Sequence, residues 1–161
     1  MKKLVMILCS SILFFCQSYA QTQNGFSSVR SRNFNEDGNN IIKKIVEFTK
    51  NNNSTMKIIA NTHGLIILED SLNEAAAVKY SDCELPAKNS HILNGYEKFI
   101  IYVKPDSGKT TVEIQSLITC RIAYIKVDLK FPGQVEKSIE CNSNGKREDE
   151  ILDYISGKSN L

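Results

Sequence analysis

The chain has 161 residues, with 20 Lys and Arg against 18 Asp and Glu, and 42% of its side chains are apolar. That length and apolar content suit one domain with a core of its own. The near-balance of charge supplies no global field for nucleic acid or an anionic membrane, so neither is expected as a partner.

Lys2 and Lys3 precede an apolar run over 4–15, and Ser18-Tyr19-Ala20 places small residues three and one positions before Gln21. A basic start, a short apolar middle and a small-residue cleavage site together read as a secretory signal peptide. An uncleaved anchor and lipid attachment at Cys16 are the alternatives, although the run is short for a membrane span and Phe14-Phe15 suit a lipoprotein site poorly. The expected organisation is a leader over 1–20, a loose polar start over 21–27, a single α+β domain over 28–157 and a tail over 158–161. The mature part would be periplasmic or secreted, with 18 basic and 18 acidic residues and no integral membrane segment. Cys83, Cys120 and Cys141 remain in it.

Residues 29–34 form a weak strand pattern, and 35–39 have turn and helix-capping composition. Ile41, Ile42, Ile45, Val46 and Phe48 fall at helical spacing opposite Lys43, Lys44 and Glu47, which predicts a helix ending near Lys50. Strands follow at 56–60 and 65–69, joined by Asn61-Thr62-His63-Gly64, a tight-turn composition. Residues 71–80 are ambiguous, because alanines 75–77 favour helix while 78–80 suit a strand. Residues 82–95 read as a long connection. A strand over 99–104, a turn at Pro105-Asp106-Ser107-Gly108 and a long strand over 110–121 come next. In that strand Val112, Ile114, Ser116, Ile118 and Cys120 share one face. Strand character continues over 122–131, and a short helix over 148–155 closes the chain. The expected fold class is α+β: a mainly antiparallel sheet packed against one long helix, with a short C-terminal helix and a filled core without a groove.

Arg32-Asn33-Phe34-Asn35 before a helix, Met56-Lys57-Ile58-Ile59, Gly64-Leu65-Ile66-Ile67, Asp82-Cys83, the strand 99–104, and Glu140-Cys141-Asn142-Ser143-Asn144-Gly145 leading to Glu150-Ile151-Leu152 give the chain a recognisable outline. It resembles a group of uncharacterised bacterial envelope proteins, many of them lipoproteins. Its strand–helix–hairpin start is similar to the helix-grip domains of the outer-membrane assembly lipoprotein BamC. The chain departs from that pattern in lacking an evident lipobox and in placing Lys146-Arg147 after the glycine. The resemblance implies a fold and an envelope location, and no established activity.

Cys83 and Cys141 are the disulfide candidates, expected to tie the middle loop to the start of the last helix. Such a bond closes a loop of nearly sixty residues, worth roughly 3–4 kcal/mol on the chain-entropy model. Free thiols are the alternative there. Cys120, on the apolar face of the long strand, reads as a buried inert cysteine; pairing with one of the other two is the alternative. Gly108-Lys109-Thr110 lacks the earlier glycine and the following helix of a phosphate loop. His63 and His91 have no zinc-ligand spacing, so no metal, cofactor or catalytic residue is expected. Glu148-Asp149-Glu150 suit the first turn of a helix, where acids favour the dipole. The long loop is the expected partner surface, with Asp82, Glu84, His91 and Tyr96 as its contact residues. The leading functional expectation is an exported non-enzymatic envelope protein that binds a protein or ligand. An inhibitor or immunity-type protein blocking a secreted enzyme is the alternative, and a hydrolase with an unfamiliar site comes third.

Overall fold

The computed structural model describes residues 29–51, 55–126 and 133–158. The expected leader, the loose start and the tail beyond Lys158 lie outside the described residues. Among the described residues ten elements follow one another: β1 (Arg30–Phe34), α1 (Gly38–Asn51), β2 (Lys57–Thr62), β3 (Leu65–Asn73), α2 (Glu74–Tyr80), β4 (Ser81–Asp82), β5 (His91–Asp106), β6 (Lys109–Lys126), β7 (Gly133–Ser143) and α3 (Lys146–Ile155). All pairings are antiparallel. The strand order is β2-β3-β5-β6-β7-β4, and β1 pairs with the first part of β6. β1 and β7 therefore share one side of β6, β1 along Thr110–Ile114 and β7 from Ile118 onward.

Two tight turns set the register. His63-Gly64 joins β2 to β3 and Ser107-Gly108 joins β5 to β6, with both residues of each pair at positive φ. That is the two-residue hairpin geometry whose twist matches the flanking strands. Gly64 is needed for a second reason: a Cβ there would lie 2.4 Å from the carbonyl oxygen of Val103.

The expected architecture of one long helix on a sheet does not form. Sheet dominates the described residues, and the three short helices among them, of 14, 7 and 10 residues, share its cover. The reason is length. β5 and β6 have 16 and 18 residues, so each follows a path of about 50–60 Å. A 14-residue helix covers only about 21 Å. Two further differences lengthen the sheet. Residues 91–95, expected in a connection, are the first part of β5. β7, which no strand expectation covered, pairs with β6 over nine residue positions.

The covered face holds two apolar clusters. The larger lies under α1 and α3 and includes Ile41, Ile45, Phe48, Leu68, Phe99, Ile101, Ile114, Ile151 and Leu152. Phe48 and Tyr154 pack edge to face at 5.4 Å between ring centres. The smaller lies under α2 and comprises Leu72, Ala77, Ile92, Ile118, Cys120, Ile122 and Cys141. α2 reaches it because β5 has a glycine where the helix crosses: a Cβ on Gly95 would stand 3.2 Å from Ala77 Cβ and 3.4 Å from Cys120 Sγ. Among the described residues no helix is long and apolar enough to cross a membrane.

Overpacking of this kind is destabilising by about 1–3 kcal/mol. Gly95→Val is therefore expected to lower unfolding stability in urea by about 2 kcal/mol. Gly133→Ala, with open space around its Cα, is expected to stay within about 0.5 kcal/mol of the parent.

Candidate functional site

Between the two apolar clusters the inward positions turn polar. Asp70 on β3, Glu97 on β5, Ser116 on β6, Ser143 on β7 and Arg147 and Glu148 on α3 are all buried. The alternation that sends Leu68, Phe99 and Ile114 inward sends these residues inward too. Glu148 accepts hydrogen bonds from the hydroxyls of Ser116 at 2.7 Å and Ser143 at 2.9 Å. It is fully buried and lies, as expected, in the first turn of the last helix. Arg147 donates to Asp70, which also accepts from the Thr55 hydroxyl at 2.5 Å. The guanidinium stacks on the Tyr80 ring at 5.0 Å.

Glu97 is the odd member. It has no solvent exposure, its contact with Arg147 is long at 3.8 Å, and the Ser116 hydroxyl, which donates to Glu148, gives it little relief. One guanidinium meets two carboxylates here, Asp70 and Glu97, and Glu148 is a third buried acid close enough to act on Glu97. Burial, above all, pushes the Glu97 pKa up to about 8; Arg147 opposes this, and Glu148 and Asp70 add to it. A proton on Glu97 is the least costly way to remove the surplus charge.

Two open grooves flank the α2 segment. One, of about 460 Å³, is lined by Phe48, Thr55, Asp70, Tyr80, Arg147 and Glu150 among others, and so reaches the buried ion pair. The other, of about 600 Å³, is lined by Glu74, Val78, Asp82, Cys83, Glu84, Leu85, His91 and Ile92 among others. The expectation of a sheet without grooves is thus corrected. Neither helices nor strands fill the space at the α2 end.

The second groove gathers most of the residues expected at the partner loop. Asp82 and Glu84 are exposed on its wall, and His91 stands at the start of β5. The connection itself is shorter than expected, running over 83–90. A turn closed by Ser90 N–H to Ala87 O at 3.0 Å shapes it, and Asn89 donates to Ile125 O at 3.2 Å. Tyr96 is elsewhere: it lies on β5, pointing away from the core, and hydrogen-bonds Glu69. Val78 and Leu85, which sequence reasoning did not select, are 59% and 41% exposed in this groove.

Cys83 and Cys141 form a disulfide with their Cα atoms 4.6 Å apart. Ser81 pairs with Ser143 and Asp82 with Asn142, so the bond sits at the next opposed position of the same ladder. It joins the first residue of the connection to β7, rather than to the start of the last helix. Cys120 is free and buried. The three sulfur atoms lie within 4.8 Å of one another. They are close enough for a shared metal ion, but the disulfide takes two of the three donors out of use. No protein-family model and no curated protein matches the chain.

The raised Glu97 pKa makes stability pH-dependent with a definite sign. The unfolded acid ionises near 4.5 and the folded one near 8, so the native state holds the extra proton between these values. Stability from this group is complete below the lower value and falls as pH rises through the upper one. Glu97→Gln is expected to flatten the stability profile across that window and to melt several degrees above the parent at about pH 9. Thermal melts across pH check this; identical slopes for parent and variant would refute it.

Proposed function

We propose that this is an exported, non-enzymatic binding protein whose partner presents a basic, amphipathic segment to the groove between α2 and the 83–90 connection. The carrying observation is the composition of that groove. Glu74, Asp82 and Glu84 contribute three carboxylates, and Val78 and Leu85 offer exposed apolar surface beside them. Carboxylates beside apolar side chains complement a segment that alternates Lys or Arg with Leu or Ile. The disulfide favours binding further, because a covalently held wall loses little freedom when a partner docks.

Export is supported by the same bond, since structural disulfides persist in oxidising compartments, and by the leader pattern of 1–20. The absence of enzymatic activity is supported by the position of Glu97: the strongly perturbed acid lines neither groove. The inhibitor reading fits less well, because the 83–90 connection forms the wall of a concavity that receives a segment, whereas an inhibitor needs a loop that inserts. An envelope role of the kind the family resemblance implies remains compatible with either partner.

Titration of the isotopically labelled protein with synthetic peptides of Lys and Leu is the test. Such peptides are expected to shift the methyl resonances of Val78, Leu85 and Ile92, whereas Asp and Leu peptides should not. Glu74→Lys with Glu84→Lys should weaken binding at least tenfold, with loss of its salt dependence. Shifts confined to other surfaces, or equal shifts with acidic peptides, would overturn the reading.

A further inference from the structure

We propose that the Cys83–Cys141 disulfide exchanges internally with Cys120, moving the cross-link to Cys120–Cys141 and presenting Cys83 as a reactive thiol in the groove. The three sulfurs lie within 4.8 Å of one another, so attack requires only small side-chain movements. Cys120 and Cys141 point to the same face of neighbouring strands, offset by two residues: Cys120 is opposite Ile139 and Cys141 opposite Ile118. Both are buried in the cluster under α2, against which Cys83 packs while partly exposed.

The step balances without an outside oxidant. Burial pushes the Cys120 thiol up from its ordinary range, so the thiolate is the minor form; the proton leaves through the Ser81 hydroxyl, 3.7 Å away, to water in the groove, and the thiolate attacks Cys141 Sγ. The Cys120–Cys141 bond forms, the Cys83–Cys141 bond breaks, and the electron pair leaves on Cys83, which takes up a proton. One thiol and one disulfide enter, and one thiol and one disulfide result.

Surroundings select the direction. The alternative, attack at Cys83, would expel Cys141, a residue only 6% exposed whose sulfur lies 4.0 Å from the Ile139 carbonyl oxygen. A carbonyl oxygen repels a developing thiolate. Cys83 instead lines the groove, where water solvates the leaving sulfur, and the Ser81 hydroxyl stands 3.2 Å from it. That hydroxyl now donates to Ala77 O at 2.6 Å, and rotation turns its hydrogen to the leaving group. Ser81 Oγ also lies 3.7 Å from Cys120 Sγ, so one side chain touches both the attacking and the departing sulfur.

Exchange removes the covalent tie between β4 and β7. The wall of the groove is then held by the two residue pairs of the β4–β7 ladder and the turn bonds of the connection. The freed thiol makes Cys83 a modification site for thiol-reactive electrophiles and for a disulfide-bearing partner. The consequence for partner binding rests on the groove reading; the sulfur chemistry does not.

The test is alkylation of the oxidised full chain with iodoacetamide under native conditions at about pH 8.5, where an ordinary thiol is half ionised. Acid quenching and non-reducing digestion then precede mass spectrometry. Alkylated Cys83 together with a Cys120–Cys141 peptide pair is expected. Cys120→Ser and Cys120→Ala should each keep the Cys83–Cys141 pair and lower Cys83 alkylation at least tenfold. Alkylation of Cys120 alone, alkylation of Cys141, or no native alkylation at all would overturn the proposal. No partner takes part, so this outcome is independent of the peptide titration.

Discussion

The constraint that organises this protein is the length of the β5–β6 hairpin. A ribbon of about 50–60 Å offers more inward apolar surface than any helix encoded here can cover. The cover is divided accordingly: α1 and α3 lie over one end, and the 7-residue α2 lies over the other. Each end buries its own cluster, and the clusters meet at a row of inward polar side chains. Asp70, Glu97, Ser116, Ser143, Arg147 and Glu148 occupy that row.

Buried charge at the junction is weak evidence for stability, because desolvation offsets most of the attraction. Its physical effect here is positional. Arg147 must meet Asp70 and the Tyr80 ring together, and Glu148 must meet two serines on adjacent strands. These demands fix how α3 seats on the sheet. At its start, Gly145 takes a positive φ that glycine adopts without strain, and the Arg30 guanidinium closes over its bare Cα. The surplus carboxylate is accommodated by protonation of Glu97.

Local chemistry made part of this readable from sequence. Glycines at φ-demanding positions announced both hairpin turns, and Ile41, Ile45 and Phe48 marked the buried stripe of α1. The disulfide followed from compartment and spacing. What sequence reasoning missed depends on distant partners. β7 alternates weakly, with only Val135, Ile139 and Cys141 apolar at period two, and it becomes a strand because β6 extends far enough to pair with it. Residues 91–95 looked like a connection because Asn94 and Gly95 interrupt the apolar pattern; the glycine admits α2, and Glu97 just beyond belongs to the polar row. Acids are normally outside, so no rule of composition marks Glu97 or Glu148 as buried. The single long helix was expected because α1 is legible alone, whereas the need for three helices appears only once the strand lengths are known. Of the site, Asp82, Glu84 and His91 were visible as loop residues, but Val78 and Leu85 became significant only through their position beside them.

The end covered by α2 thus has a small core, a two-residue closing strand, a groove on each side of the helix and one covalent bond. It is the end where binding and sulfur chemistry are placed, and the account requires it to be held separately from the larger cluster. Amide hydrogen exchange before and after reduction of the disulfide under native conditions measures this directly. The account predicts that reduction strips protection from 72–92 and 134–143 while the amides of α1, β1 and α3 keep theirs. Loss spread evenly over the whole sheet, or no change near α2, would contradict it.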